Sequence, residues 1–288
     1  SALGAIFSSC SSDFGLEGVI DRFEQIEPKI LIAANGYLYN GKLIDRSEQI
    51  KTISEQLYSL EHVLIVEYVS SKKSIDSFLS FNTVFQSDPL ENYIVCEFND
   101  PLYIVFSSGT TGKPKCIVHS IGGVLIQHAK EHLLHTNLSE KQKMFYFTTC
   151  GWMMWNWLVG SLFCKSSIIL YEGSPFYPGP EHLWKIAEKS ELDVFGTSAK
   201  YIDALSKSNI NPKAQFQLPN LKTICSTGSP LSPDSYDYIL SSIKSDVQIA
   251  SISGGTDLLS CFVLGNPLSP VTRGEIQCRA LGMNVDIF

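Results

Sequence analysis

Apolar residues along the chain fall into two alternating patterns. Short runs rich in Val, Ile, Tyr and Phe predict strands at Lys29–Ala33, Val63–Val69, Leu102–Phe106, Met144–Thr149, Ser167–Tyr171, Asp193–Gly196, Leu221–Ser226, Val247–Ser251 and Cys261–Leu264. Between them, apolar positions spaced by three and four predict helices at Leu16–Gln25, Arg46–Ser59, Ile121–His135, Pro180–Ser190, Ser198–Ser206 and Pro233–Ile243. Strands that alternate with helices imply an α/β fold of mostly parallel sheets with flanking helices. Turn residues punctuate the pattern at Asn99-Asp100-Pro101, Gly173-Ser174-Pro175 and Gly228-Ser229-Pro230.

Composition narrows the class. Of the 288 residues, 44% are hydrophobic and 18% charged, which places the chain among packed globular proteins. With 22 Lys and Arg against 29 Asp and Glu the net charge is −7, and no basic run occurs; a nucleic-acid partner, which needs a concentrated basic face, is not expected. The eight cysteines form no C-x-x-C pair and read as buried, reduced thiols of a cytoplasmic protein. No apolar run approaches the length of a membrane span, and residues 1–12 lack the charged lead of a signal peptide. The chain opens at Ser1–Phe7 without a polar lead-in and stops at Asn284–Phe288 on an extended apolar run, which reads as a piece of something longer. His128, His132 and His135 share one helical face at a spacing open to zinc, but no H-E-x-x-H motif or fourth ligand accompanies them, so a solvated face is expected.

The strongest chemical signal is Leu102-Tyr-Ile-Val-Phe-Ser-Ser-Gly-Thr-Thr-Gly-Lys-Pro-Lys115. A strand feeds a loop whose two glycines let backbone N–H groups converge on an anion. Ser107, Ser108, Thr110 and Thr111 add hydroxyl donors, and Lys113 and Lys115 add charge. The helix expected from Ile121 would add its N-terminal dipole. Gly109 and Gly112 are only three apart, so this is not the G-x-x-x-x-G-K loop of P-loop proteins.

This loop resembles the signature of the adenylate-forming superfamily, which includes acyl-CoA synthetases, luciferases and the adenylation domains of nonribosomal peptide synthesis. Three further blocks occur in that family's order. Phe147-Thr-Thr-Cys-Gly-Trp-Met-Met-Trp155 resembles the aromatic block lining the acyl pocket, Ser226-Thr-Gly-Ser-Pro-Leu231 the turn lying against adenine, and Ser251-Ile-Ser-Gly-Gly-Thr-Asp257 the block meeting the α-phosphate and magnesium. Within the superfamily, Ser8–Gly15, Lys115–Gly123 and Gly151–Trp157 are most similar to the acyl-CoA synthetases that take acetoacetate.

The resemblance implies ATP, Mg²⁺ and coenzyme A as small-molecule partners. It places the nucleotide on Ser107, Ser108, Gly109, Thr110, Thr111, Gly112, Lys113 and Lys115, on Gly228, Ser229 and Pro230, and on Ser253, Gly255 and Thr256. Lys115, Thr256 and Asp257 would take catalytic roles, with Asp257 holding Mg²⁺; the alternative for Asp257 is a helix N-cap. Trp152 would line the acyl pocket, and Gly254, standing where acetate-specific relatives carry Trp, would leave room for a longer acid. Arg22 is a candidate for a CoA phosphate, beside a plain surface role. Residues 1–288 would be the central part of the AMP-binding domain, with a partial first subdomain over about 1–100 and the nucleotide and acyl part over about 101–288. The C-terminal domain with its catalytic lysine would lie outside, leaving this stretch alone inactive. A ligase for another short acid (acetate, propionate or butyrate) and a non-catalytic nucleotide-binding module are the alternative readings.

Overall fold

The computed structural model describes residues 2–70, 77–107 and 112–287. The chain divides into two compact units, Ser1–Ile121 with Glu172–Ser174, and Gly122–Tyr171 with Pro175–Phe288.

The first unit contains α1 (Leu16–Phe23), β1 (Ile30–Ala34), β2 (Gly36–Tyr39), β3 (Lys42–Asp45), α2 (Ser47–Gln56), β4 (His62–Val66), β5 (Leu79–Ser80), β6 (Pro101–Ser107) and β7 (Lys115–Ser120). β1 and β4 pair in parallel from Ile30↔His62 to Ala34↔Val66, with β5 beside β4. Val19 and Phe23 of α1 pack on Ile53 of α2 and Leu57 just beyond it, while Ile50 of α2 meets Val63 and Ile65 of β4. Buried Asn35 accepts from the Tyr68 and Val69 N–H groups and donates to the Val69 carbonyl, tying the end of β1 to the chain after β4. The hairpin of β2 and β3 is absent from the sequence reading, yet its turn is Asn40-Gly41, both at positive φ, the preferred chemistry of a two-residue hairpin.

β7 is the second element the sequence reading missed. It runs antiparallel to β6, from Ser107↔Lys115 to Pro101↔Ser120. The Gly/Thr loop therefore closes a hairpin. Ile121 follows the far end of β7, six residues of extended chain or roughly 20 Å from the loop, so no helix N-terminus follows the loop directly. The expected dipole contribution to the phosphate loop is corrected on that ground.

The second unit is built on α3 (Ile121–Lys130), β8 (Lys143–Tyr146), α4 (Met153–Gly160), β9 (Ser167–Ile169), α5 (His182–Lys189), β10 (Val194–Ser198), α6 (Ala199–Lys207), α7 (Pro212–Gln215), β11 (Thr223–Thr227), α8 (Pro233–Tyr238), β12 (Gln248–Ser251), β13 (Ser253–Gly255), β14 (Ser260–Leu264) and β15 (Cys278–Arg279). Five strands form one parallel sheet in the order β12-β11-β10-β8-β9. Both of its faces are covered, which explains why its strands read as continuous apolar runs. Phe145, Phe195, Ile224 and Ile249 pack on one face, and Met144, Tyr146, Val194, Cys225 and Ala250 on the other. Helix starts follow their cap residues: Ser198 accepts from Tyr201 N–H and Ser232 from Ser235 N–H. α4 was not expected, because Met153–Gly160 is apolar nearly all round and shows no period.

Two predicted helices end in a widened turn. α3 stops at Lys130, and Glu131–His135 continues as a π turn whose Thr136 N–H reaches back to the Glu131 carbonyl; Ile239–Ile243 does the same after α8. The histidine face on α3 is not solvated, contrary to expectation. His128, His132 and His135 are all buried. His128 donates from Nε2 to the Leu259 carbonyl (2.9 Å), His132 from Nε2 to the Trp157 carbonyl (2.7 Å) and His135 from Nδ1 to the Gly265 carbonyl (2.9 Å), while His135 Nε2 accepts from Leu281 N–H. Each ring thus pins a carbonyl elsewhere in the unit. Among the described residues no group of three or more His, Cys, Asp or Glu side chains is placed to hold a metal ion. The eight cysteines are free thiols, but only Cys164, Cys225 and Cys261 are buried and Cys116 is exposed.

Burial, reinforced by neighbouring His128, pulls His132 down from the ordinary 6.5 to about 3. The unfolded chain therefore binds a proton below pH 6.5 that the folded chain refuses until about pH 3. Stability is unaffected by this group above pH 6.5 and is lost as pH falls below it, by about 1.4 kcal/mol per pH unit. Urea titrations at pH 7 and pH 5 should show that loss, and His132→Gln should flatten it. An unchanged pH dependence in the variant would remove His132 as its source.

Candidate functional site

Three of the sequence blocks meet at one cavity in the second unit. Its volume is about 360 Å³, within the range of small-molecule sites, and residues 152–154, 227–231 and 251–256 form most of its wall, completed by Ser260, Cys261, Gly274 and Ile276. Each block follows the C-terminal end of a strand: the Trp152 segment comes after β8, the Gly228-Ser229-Pro230 turn after β11, and Ser253–Thr256 after β12. Parallel sheets present ligand sites at that edge, because the chain must leave the sheet there in loops.

Trp152 is half-buried at the mouth of α4, and its indole lies along Gly228, whose φ of +88° suits a residue without a side chain. Of the other two indoles near it, only Trp157 is fully buried; Trp155 is half-exposed. Trp157 Nε1 donates to the Glu131 carboxylate at 2.7 Å. Gly228, Ser229, Pro230, Ser253, Gly254, Gly255 and Thr256 all line the cavity. Asp257 does not. It stands exposed in the turn Thr256–Leu259 that links β13 to β14, so no helix follows it and the N-cap alternative falls away.

Gly254 lines the cavity, but its missing side chain does not make the room for a longer acid that was expected of it. β13 pairs with β14, Gly254 opposite Cys261, and a Cβ on Gly254 would lie 2.0 Å from the Ser260 carbonyl oxygen. A side chain at this position points into the neighbouring strand and cannot fill the cavity without parting the two strands. Glycine is required here by close backbone approach.

The first unit holds the other predicted residues. Ser108, Gly109, Thr110 and Thr111 lie outside the described residues. Ser107 and Lys115 face each other across the β6–β7 ladder, with Gly112, Lys113 and Lys115 all exposed. Lys113 is engaged within its own unit, 3.1 Å from Glu24 and 4.0 Å from Asp21 of α1, and these carboxylates raise its pKa, Glu24 foremost. Lys115 makes no ion pair among the described residues. Arg22 is half-buried: its guanidinium sits over the Phe14 ring at 4.7 Å and the Phe106 ring at 5.9 Å, and Nη1 donates to the Gly18 carbonyl at 2.6 Å. Those contacts are a stacking role inside the unit.

The residue that sequence reading missed is Glu131. It is fully buried, and its carboxylate accepts from Trp157 Nε1, Ser260 Oγ and Cys261 N–H, with Lys130 Nζ at 3.4 Å. The available signal was a carboxylate directly before His132 on a face otherwise expected to be solvated.

The AMP-binding enzyme family model matches residues 1–279. The chain belongs to the AMP-binding enzyme family. Among relatives in the family, the acetoacetyl-coenzyme A synthetase of Rhizobium meliloti (strain 1021) is 49% identical across 100% of this chain and 45% of its own length, and the acetoacetyl-CoA synthetase of Gallus gallus is 46% identical across 100% and 44%. The acetoacetyl-CoA synthetase from Streptomyces lividans superposes with a TM-score of 0.93 at 39% identity, over 98% of this chain and 44% of that one. An anthranilate CoA ligase solved with anthranoyl-AMP superposes at 0.82 with 18% identity, over 98% of this chain and 51% of that one, and shares the fold. The chain thus spans less than half the length of the curated relatives it matches. No helix among the described residues is long and apolar enough to cross a membrane.

The two glycines of β13 separate the packing demand from the cavity. Gly254→Ala drives a methyl into the Ser260 carbonyl and should cost about 1–3 kcal/mol. Gly255→Ala meets nothing closer than Asp257 Oδ2 at 3.9 Å and should cost no more than about 0.5 kcal/mol. Urea midpoints of the two variants check this, and equal midpoints would contradict the strand geometry.

Proposed function

We propose that the protein to which this chain belongs activates acetoacetate as its coenzyme A thioester. In the first half-reaction the acid's carboxylate attacks the α-phosphorus of ATP, the α–β phosphoanhydride bond breaks, and pyrophosphate leaves. In the second, the CoA thiol adds to the acyl carbon of the adenylate and AMP leaves. The observation that carries the reading is the meeting of Trp152, the Gly228-Ser229-Pro230 turn and Ser253–Thr256 at one cavity. Acetoacetate as the acid is supported by the synthetases of that name at 40–49% identity along the chain.

The roles follow the chemistry of each group. Thr110, Thr111 and Lys115 hold the β- and γ-phosphates as a charged, donor-rich loop, which frees the α-phosphorus for in-line attack. The Gly228 turn and Trp152 give flat, weakly polar walls for adenine and for the acyl chain. Thr256 donates to the α-phosphate. Asp257 suits Mg²⁺: a single exposed carboxylate in a turn offers a hard oxygen, and this ion completes its shell with phosphate oxygens and water. The metal would supply charge neutralisation on the phosphates. ATP–pyrophosphate exchange by the full-length protein, with acetoacetate compared against acetate, propionate and butyrate, tests the reading. Exchange that prefers acetate would overturn the choice of acid.

The two lysines after the loop should differ. Lys115→Ala removes a free charge and should weaken ATP by about 10- to 100-fold, the equivalent of one charge-assisted contact, with a smaller effect on AMP. Lys113→Ala should do less, because Glu24 and Asp21 already hold that ammonium. Calorimetric titration with ATP and AMP checks both, and equal losses of ATP and AMP in Lys115→Ala would count against the phosphate assignment.

A further inference from the structure

We infer that Glu131 is a positioning residue: a buried carboxylate on the π turn after α3 that sets the geometry of the Thr256–Asp257 turn through Ser260 and Cys261. The inference rests on the function proposed above, for which that turn meets the α-phosphate and the metal.

The linkage is continuous from α3 to the turn. Glu131 has no exposed surface. A carboxylate taken wholly out of water must have its oxygens saturated with donors, and this one does. Oε2 accepts from Trp157 Nε1–H at 2.7 Å. Oε1 accepts from the Ser260 hydroxyl, from Cys261 N–H at 3.1 Å and from Lys130 Nζ at 3.4 Å, and Gln127 Nε2 stands 3.4 Å away. Gln127 also donates to Ser260 Oγ, so that hydroxyl is held from both sides.

Ser260 and Cys261 open β14, and both line the cavity. They pair with Gly255 and Gly254 of β13, which also line it. Between the two strands the chain turns at Thr256–Leu259 and passes through Leu259 at φ +50°, a left-handed conformation that a leucine adopts only under constraint. The constraint is visible. The Leu259 side chain is buried, and its carbonyl accepts from His128, one helical turn before Glu131 on the same face. α3 and the π turn after it therefore grip the end of the turn twice, His128 at Leu259 and Glu131 at Ser260, with Thr256 and Asp257 at the start of the same turn. An anchor made of a buried charge is stiff, because any displacement leaves a donor or the charge itself unpaired.

The test uses the full-length protein with Glu131→Gln and Ser260→Ala, the second removing the hydroxyl contact to β14 while keeping the Glu131 carboxylate and its bonds from Cys261 N–H and Trp157 Nε1–H. The measurements are ATP–pyrophosphate exchange with acetoacetate, calorimetric Kd for ATP with and without Mg²⁺, Kd for AMP without metal, and the melting temperature. In both variants we expect kcat for exchange to fall at least tenfold and the Mg²⁺-dependent gain in ATP affinity to shrink at least threefold, with AMP binding within twofold of wild type. Should Glu131→Gln fail to fold, Ser260→Ala decides. A folded variant with wild-type kcat and an intact Mg²⁺ gain overturns the inference. Parallel loss of AMP binding and metal response shows a merely structural role and overturns it too. An inactive wild type overturns the functional reading and this inference together, whereas an active wild type with indifferent variants overturns this inference alone.

Discussion

A single buried carboxylate organises the second unit. Glu131 sits with no water around it, and its charge is tolerable only because an indole, a hydroxyl, a backbone amide and an ammonium converge on it. Those donors come from α4, from the start of β14 and from α3 itself. Satisfying one charge thus fixes where a helix and a strand lie against a third element.

The histidines extend the principle to uncharged groups. Three imidazoles on one helix each engage a backbone carbonyl on a different stretch of the unit, at Trp157, Leu259 and Gly265. Buried backbone oxygens need such donors where a strand ends or a turn begins. Residues that suggest a metal site by spacing instead hold backbone carbonyls of α4, of the Thr256–Leu259 turn and of the chain just after β14. Along the cavity, the β13–β14 ladder is tight enough to require glycine at position 254, and the Trp152 indole lies along Gly228.

In the first unit the decisive constraint is the hairpin of β6 and β7. A loop of small and hydroxylated residues joins two antiparallel strands in place of a strand and a helix. In the function proposed above, anion recognition there would fall to the loop and to Lys115, since Glu24 and Asp21 already hold Lys113. Arg22, with its guanidinium over the Phe14 and Phe106 rings, contributes packing to the same unit.

Much was legible in the chain alone. The α/β class, the nine main strands to within a few residues and all six predicted helix starts follow from periodicity and caps, because those signals are local: a run of Val and Ile, a serine before a turn of helix. The family followed from four ordered blocks, since loops that bind one ligand keep their residue types in sequence. What the sequence could not express were facts about distance. α4 hid because a helix buried all round has no period; β7 hid because six residues pairing with a neighbour look like a loop's tail. The Asn40-Gly41 hairpin was readable and overlooked. Only tertiary structure decided that a side chain on Gly254 would meet the Ser260 carbonyl, that the histidine face is core, and that Glu131 gathers its donors, because those outcomes depend on how strands pair and, for His128 and Glu131, on residues 131 and 129 positions away.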